Sequence, residues 1–135
     1  MSVSSNLEVK KIPVKNTSIF RYYVDPITKA QLMASVEGMF VWKDGCIYLK
    51  QKDGTYMTAL FPEYPRDIVK WNESNKTIEL AGKIFKMGDY IKTNGQYSKY
   101  DPNSINDIEY QKQGSESCLT PMLVEVGTIS LSTGN

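Results

Sequence analysis

The sequence predicts an all-β chain, a small antiparallel barrel or barrel-like sandwich built on a three-strand meander. Two observations carry that expectation. Residues 36–61 run as three apolar-rich segments, 36–42, 46–51 and 55–61, separated by Lys43-Asp44-Gly45 and Lys52-Asp53-Gly54. Asp-Gly between alternating runs signals a hairpin, because a tight turn needs positive φ and these residues adopt it at little cost. The segments are rich in Val, Ile, Tyr, Trp, Phe and Thr, which suit a pleated, half-buried surface. The remainder of the chain then continues as short runs with turn signals about every eight to twelve residues, the spacing of a barrel or sandwich.

Taken in order, residues 1–16 read as a polar arm with a short edge strand over 7–14. Residues 17–131 read as one β domain and 132–135 as a tail. Within the domain, 18–24 has strand composition, Asp25-Pro26 marks a turn, and 27–33 supplies a turn of helix or an extended lead into the meander. After the meander, Pro62 and Pro65 interrupt pairing because proline cannot donate to a ladder. Short strands follow at 68–71, 77–80, 84–87 and 90–93. Asn94-Gly95 is a further hairpin signal, with 96–100 pairing back. The polar stretch 101–114 reads as a long loop, and 118–131 as the last ordered piece.

Composition bounds the chemistry. A length of 135 residues suits one domain able to bury its own core. Arg21 and Arg66 are the two arginines beside fourteen lysines, and the net charge is +1. That balance gives no general attraction to nucleic acid, and scarce guanidinium weakens base or phosphate reading. There is no histidine. Ser-His and Cys-His nucleophile pairs and histidine-based metal sites are therefore excluded. No run has the eighteen or so apolar residues needed to span a membrane. Residues 1–15 lack the apolar block of a secretory signal, so the chain is expected to be cytoplasmic, or extracytoplasmic with a signal removed.

Three constellations stand out. Trp42, Tyr48 and Tyr56 fall on neighbouring meander strands, and Trp71 follows in the next run, with Lys50, Lys52 and Lys70 near them in sequence. A five-stranded Greek-key barrel of OB-like type uses such a face to stack sugars or bases; core packing of these rings is the competing reading. Glu63 and Asp67 flank a proline-bounded loop and form a conceivable hydrolytic pair, although surface carboxylates are usually only solvated. Asp101, Asn103, Asn106, Asp107 and Glu109 crowd one loop with oxygen donors, but without the spacing or central glycine of a helix-loop-helix calcium site. No catalytic residue, metal ligand or cofactor site is assigned. Cys46 and Cys118 are either a disulfide or two separate buried thiols.

Several short stretches, Val36-Glu37-Gly38, Asp44-Gly45-Cys46-Ile47-Tyr48-Leu49 and Leu60-Phe61-Pro62, then Gly82, Met87-Gly88-Asp89, Asn94-Gly95, Cys118 and Val124 onward to Gly127, occur in an order that resembles small bacterial cell-envelope, lipoprotein-like β-domain proteins. The resemblance covers about Met33 to Ile129. It implies a compact β fold, an extracytoplasmic setting in the periplasm or cell envelope, and a Cys46–Cys118 disulfide. It carries no activity. The expected function is thus a non-catalytic envelope or accessory binding domain whose partner is a protein or a small neutral ligand. An OB-like barrel for oligosaccharide or single-stranded nucleic acid is the alternative, nucleic acid being disfavoured by charge, and a carboxylate-dependent hydrolase ranks last.

Overall fold

The structure is a computed structural model that describes residues 16–132. The edge strand expected at 7–14 lies outside the described residues. The elements are β1 (Phe20–Tyr22), β2 (Ala34–Lys43), β3 (Cys46–Lys50), β4 (Tyr56–Pro62), β5 (Val69–Asn72), β6 (Thr77–Leu80), β7 (Lys83–Lys86), β8 (Tyr90–Lys99), α1 (Ile105–Gln111) and β9 (Met122–Val126), with single 3₁₀ turns at Arg66–Ile68 and Glu116–Cys118.

Strands β2, β3 and β4 form the expected meander. Asp44 and Gly45 turn the first corner with φ of 52° and 81°, and Gly54 turns the second with φ of 91°. After β4 the chain leaves the wall and returns as β8 beside β2, so β8-β2-β3-β4 is a Greek key. Strand β9 then pairs with both β8 and β4, and the ring closes with five strands. The barrel is mixed, which corrects the antiparallel expectation: β4 and β9 run parallel, Thr58 to Leu60 facing Leu123 to Glu125. An odd ring cannot alternate strand direction all the way round, so closing five strands requires one parallel contact. Thr58 and Leu60 both pair with β9 on one edge. Their other edge is shared by Tyr48 of β3 and Phe20 of β1, so β1 extends the line of β3 as a second, short parallel pair.

Alternation along the strands sorts two layers. Val36 and Phe40 of β2, Ile47 and Leu49 of β3, Ala59 and Phe61 of β4, and Val124 and Val126 of β9 fill the barrel. Strands β5, β6 and β7 form a separate antiparallel sheet. Its Val69, Ile78, Leu80 and Phe85 join the same interior cluster; Phe85 meets Phe40 edge to face at 5.6 Å. Outside the wall, Phe20, Tyr22, Leu60, Leu123 and Tyr110 of α1 form a second cluster around the two cysteines.

Of the two readings of 27–33, the extended lead into the meander is the one present: Asp25 accepts the Ile27 and Lys29 amides, at 2.8 and 2.7 Å, and closes a turn ahead of it. Two local expectations are corrected. The stretch 101–114 is not all loop, since α1 occupies Ile105–Gln111. Its only buried residue is Tyr110, and Ile105 is 83% exposed, so no apolar stripe announces it. The Ser104 carbonyl accepts the Ile108 amide and the Asp107 carboxylate accepts the Asp101 amide, which fix its first turn. Finally, Asn94-Gly95 is no hairpin, because β8 runs unbroken through it. Asn94 is buried and its side chain bonds both loops beside it: Nδ2 donates to Gln31 and the Leu32 carbonyl, and Oδ1 accepts from Ile129 and Ser130.

Candidate functional site

The strand register decides which of the expected aromatics share a surface. Directly paired residues point to the same side of a sheet. Tyr90, Met39, Lys50 and Tyr56 are consecutive partners across β8, β2, β3 and β4, and they lie on the side opposite the interior-facing Ile91, Phe40 and Leu49. Val41 and Tyr48 form the adjacent row. Tyr48 and Tyr56 meet edge to face with centroids 5.6 Å apart, and Lys50 Nζ stands 5.8 Å from the Tyr56 ring centre. Tyr56 is 38% exposed. Burial raises the Tyr48 phenol, and the Asp44 charge adds to this, so Tyr48 stays neutral near neutral pH. The outer wall of the meander therefore presents a platform of three tyrosines, Tyr48, Tyr56 and Tyr90, with Met39, Val41 and Lys50.

Trp42 and Trp71 do not belong to that platform. Both indoles are used in a network centred on Glu73. Trp71 Nε1 donates to the Glu73 carboxylate at 3.0 Å, and Trp42 Nε1 donates to Thr17 Oγ1 at 2.8 Å. Thr17 in turn donates its amide and hydroxyl to Glu73, at 3.0 and 2.9 Å. Lys76 bonds the same carboxylate at 3.0 Å and places its ammonium 4.8 Å from the Trp42 ring centre. The network ties the segment before β1 to the β5–β6 turn. Its donors, the Thr17 amide foremost, hold the Glu73 carboxyl down to about 2. A depressed carboxylate stabilises the fold above its unfolded value and loses that contribution as pH falls through the folded one. Acid unfolding is thus expected to show a Glu73 component between pH 4.5 and about 2. Glu73→Gln, followed by thermal melts across that window, is expected to flatten the pH dependence there.

Lys52 pairs with Glu37, and Lys70, on the separate sheet, pairs with Glu79, both at 3.9 Å. Glu63 and Asp67 are both exposed and line no common cavity, which removes the basis for a hydrolytic pair. Asp101 and Asp107 are engaged in turn and helix hydrogen bonds. Among the described residues no three acidic or sulfur side chains converge as a metal site.

Cys46 and Cys118 are joined as a disulfide, with Cα atoms 5.4 Å apart. The bond lies in the outer cluster beneath residues 116–120, and that segment also seals β4, since Thr58 exchanges hydrogen bonds with Thr120 at 2.8 and 2.9 Å.

Sequence reasoning missed a cleft. A cavity of about 590 Å³ lies between α1, the β1 segment, the loop at Gln31 and the outer wall of β8 and β9. Glu125 of β9 lies on its wall, and Gln96 of β8 donates to that carboxylate at 3.3 Å. The period-two pattern of 122–126 already turns Glu125 outward, away from Val124 and Val126. The covering helix, without a legible stripe, gave no signal that this outward side is enclosed. No family model, curated protein or solved structure matches the chain. No helix among the described residues is long and apolar enough to cross a membrane.

Proposed function

We propose that the chain is a non-catalytic accessory binding domain of an extracytoplasmic compartment, the periplasm or cell envelope, and that its OB-like barrel holds a neutral oligosaccharide on the Tyr48–Tyr56 platform. The carrying observation is the edge-to-face contact of these two rings on the outer wall of the meander. Ring faces bordered by an aliphatic side chain and a single cation suit an uncharged, partly apolar ligand. A five-stranded Greek-key barrel supports the OB-like reading, since such barrels bind through this part of the wall. The disulfide supports the compartment, because the cytosol keeps thiols reduced. Strand addition by a partner protein is less favoured at β1. There the Gln113 side chain accepts the Arg21 amide at 2.5 Å and donates to its carbonyl at 3.1 Å, which covers the outer edge.

The test is a titration of ¹⁵N-labelled chain with uncharged gluco- and chito-oligosaccharides, and in parallel with an oligothymidylate. Saturable amide shifts at Met39, Tyr48, Lys50 and Tyr56 with a sugar are the expected result. Tyr56→Ala should weaken that binding about tenfold. Shifts only with the oligonucleotide, fading with salt, would give the site to nucleic acid instead. Silence of these amides toward all ligands would remove the platform as a site.

A further inference from the structure

We propose that the cavity between the loop after β1 and the loop after β4 binds an organic oxyanion, a carboxylate or a phosphate monoester on an apolar stem, with Arg21 and Arg66 as its cationic partners. The site shares no residue with the tyrosine platform, so the two readings stand or fall separately.

The first sign is where the guanidinium groups lie. The chain has two arginines beside fourteen lysines, and both arginines line this one cavity, which no lysine lines. Guanidinium differs from ammonium in presenting a planar fork of donors that matches a carboxylate or phosphate edge. Two segments far apart in sequence bring the pair together. The Glu63 amide donates to the Tyr22 carbonyl at 3.0 Å, which sets the chain after β4 beside the chain after β1. Arg66 then opens a 3₁₀ turn, closed by the Ile68 amide on the Pro65 carbonyl at 3.0 Å.

The second sign is that neither guanidinium has a partner among the described residues. Each ion pair there uses a lysine, and the hydrogen bonds of Arg21, to Gln113, are made by its backbone. Arg21 also borders the α1 cleft, yet no carboxylate of that cleft forms an ion pair with it. Arg21 is half-buried, and burial lowers its pKa while the Glu63 charge raises it. A partly desolvated cation without a counterion is costly to keep, and an incoming anion removes that cost.

Charge sets the sign of the ligand. Glu63 is the one carboxylate on this lining among the described residues, against two guanidinium groups, so a single anion balances the set. Val24, Pro26 and Tyr64 complete the lining and supply apolar surface for a stem. The cavity size of about 530 Å³ falls in the usual range of small-ligand sites.

The experiment is a titration of the full ¹⁵N-labelled chain with butyrate and butyl phosphate, with butanol and butylammonium as neutral and cationic counterparts. Saturable shifts of the Arg21 and Arg66 Nε–H signals and of the Val24 and Tyr64 amides are expected with either anion, and none with the counterparts. Arg21→Gln and Arg66→Gln should each weaken binding about tenfold, as for loss of a charged hydrogen bond. Arg66 is exposed, so Arg66→Gln stays decisive even where Arg21→Gln disturbs the edge at β1. Glu63→Gln removes the competing carboxylate and should tighten binding about threefold, which a merely structural role of this loop would not produce. Tighter binding of butyl phosphate than of butyrate would assign a phosphate monoester as the source, and the reverse order a carboxylate. Absence of saturation with both anions, equal response to butanol or butylammonium, or unchanged affinity in Arg66→Gln would overturn the proposal.

Discussion

The double substitution Cys46→Ala/Cys118→Ala is expected to cost about 4 kcal/mol, the largest loss available without touching the barrel interior. The bond spans 72 positions, and loop-closure entropy of the unfolded chain grows with that length. For a chain of this size, about 4 kcal/mol corresponds to a melting point lowered by about 10–15 °C. Packing adds to it: Cys46 and Cys118 are 3% and 1% exposed, so alanines leave small voids beside Phe20, Leu60 and Leu123. The measurement is thermal and denaturant unfolding of wild type, reduced wild type and the double variant. Reduced wild type should fall close to the variant, differing by the void term alone. A melting point unmoved by reductant would mean that the bond constrains nothing the unfolded chain can use. Loosening should be felt first at residues 116–120, where the bond anchors the segment that seals β4 through Thr58 and Thr120. Amide exchange there should quicken before exchange in β2 or β3.

What the sequence disclosed and what it withheld follow one physical division. Local signals were legible. The turns at Asp44-Gly45 and Gly54 delimit the meander because positive φ is a local demand, and β6 occupies the expected 77–80 because its alternation is undisturbed. The pairing of Cys46 with Cys118, left open by the residues and implied by the resemblance, is present. Tyr48 and Tyr56 are in ring contact because they sit on strands joined by a short turn, a neighbourhood the sequence displays. Non-local relations were hidden. Trp42 and Trp71 were grouped with them on sequence proximity, but both indoles are drawn away by Glu73, whose partners include Thr17, 56 positions earlier. The parallel contact of β4 with β9 follows from closing an odd ring, a constraint no single segment displays. The cleft depends on α1, a seven-residue helix that buries little beyond Tyr110. Asn94-Gly95 misled for a related reason: the dipeptide that favours a hairpin also suits a buried polar hub followed by a close backbone approach.

That close approach makes Gly95→Ala the most damaging single substitution expected among the glycines of the barrel. Gly95 is partner to Ala34 of β2 and to Val126 of β9, so it sits where β8 is held from both sides. Its φ is 155°, which L side chains rarely adopt, and a methyl built there would lie 1.8 Å from the Glu125 carbonyl oxygen and 3.2 Å from Val36 Cγ2. A carbonyl held in the β8–β9 ladder cannot swing aside as a side chain can, so relief requires the two strands to part. Parting them opens the ring, exposes Val124 and Val126, and breaks the Asn94 contacts to residues 127–130. The expected cost is about 4 kcal/mol or more, a large share of the roughly 5–15 kcal/mol that holds a domain of this kind together. Gly88→Ala separates the two causes. Gly88 has φ of 105° with nothing within 4 Å of the added methyl, so it reports conformational strain alone, about 1–2 kcal/mol. Paired denaturant titrations of the two variants should leave Gly88→Ala folded with a lowered midpoint and Gly95→Ala largely unfolded or lacking the β8–β9 amide protection. Equal losses in the two variants would show that β8 and β9 yield without opening the barrel, and that closure at Gly95 is not what keeps the ring shut.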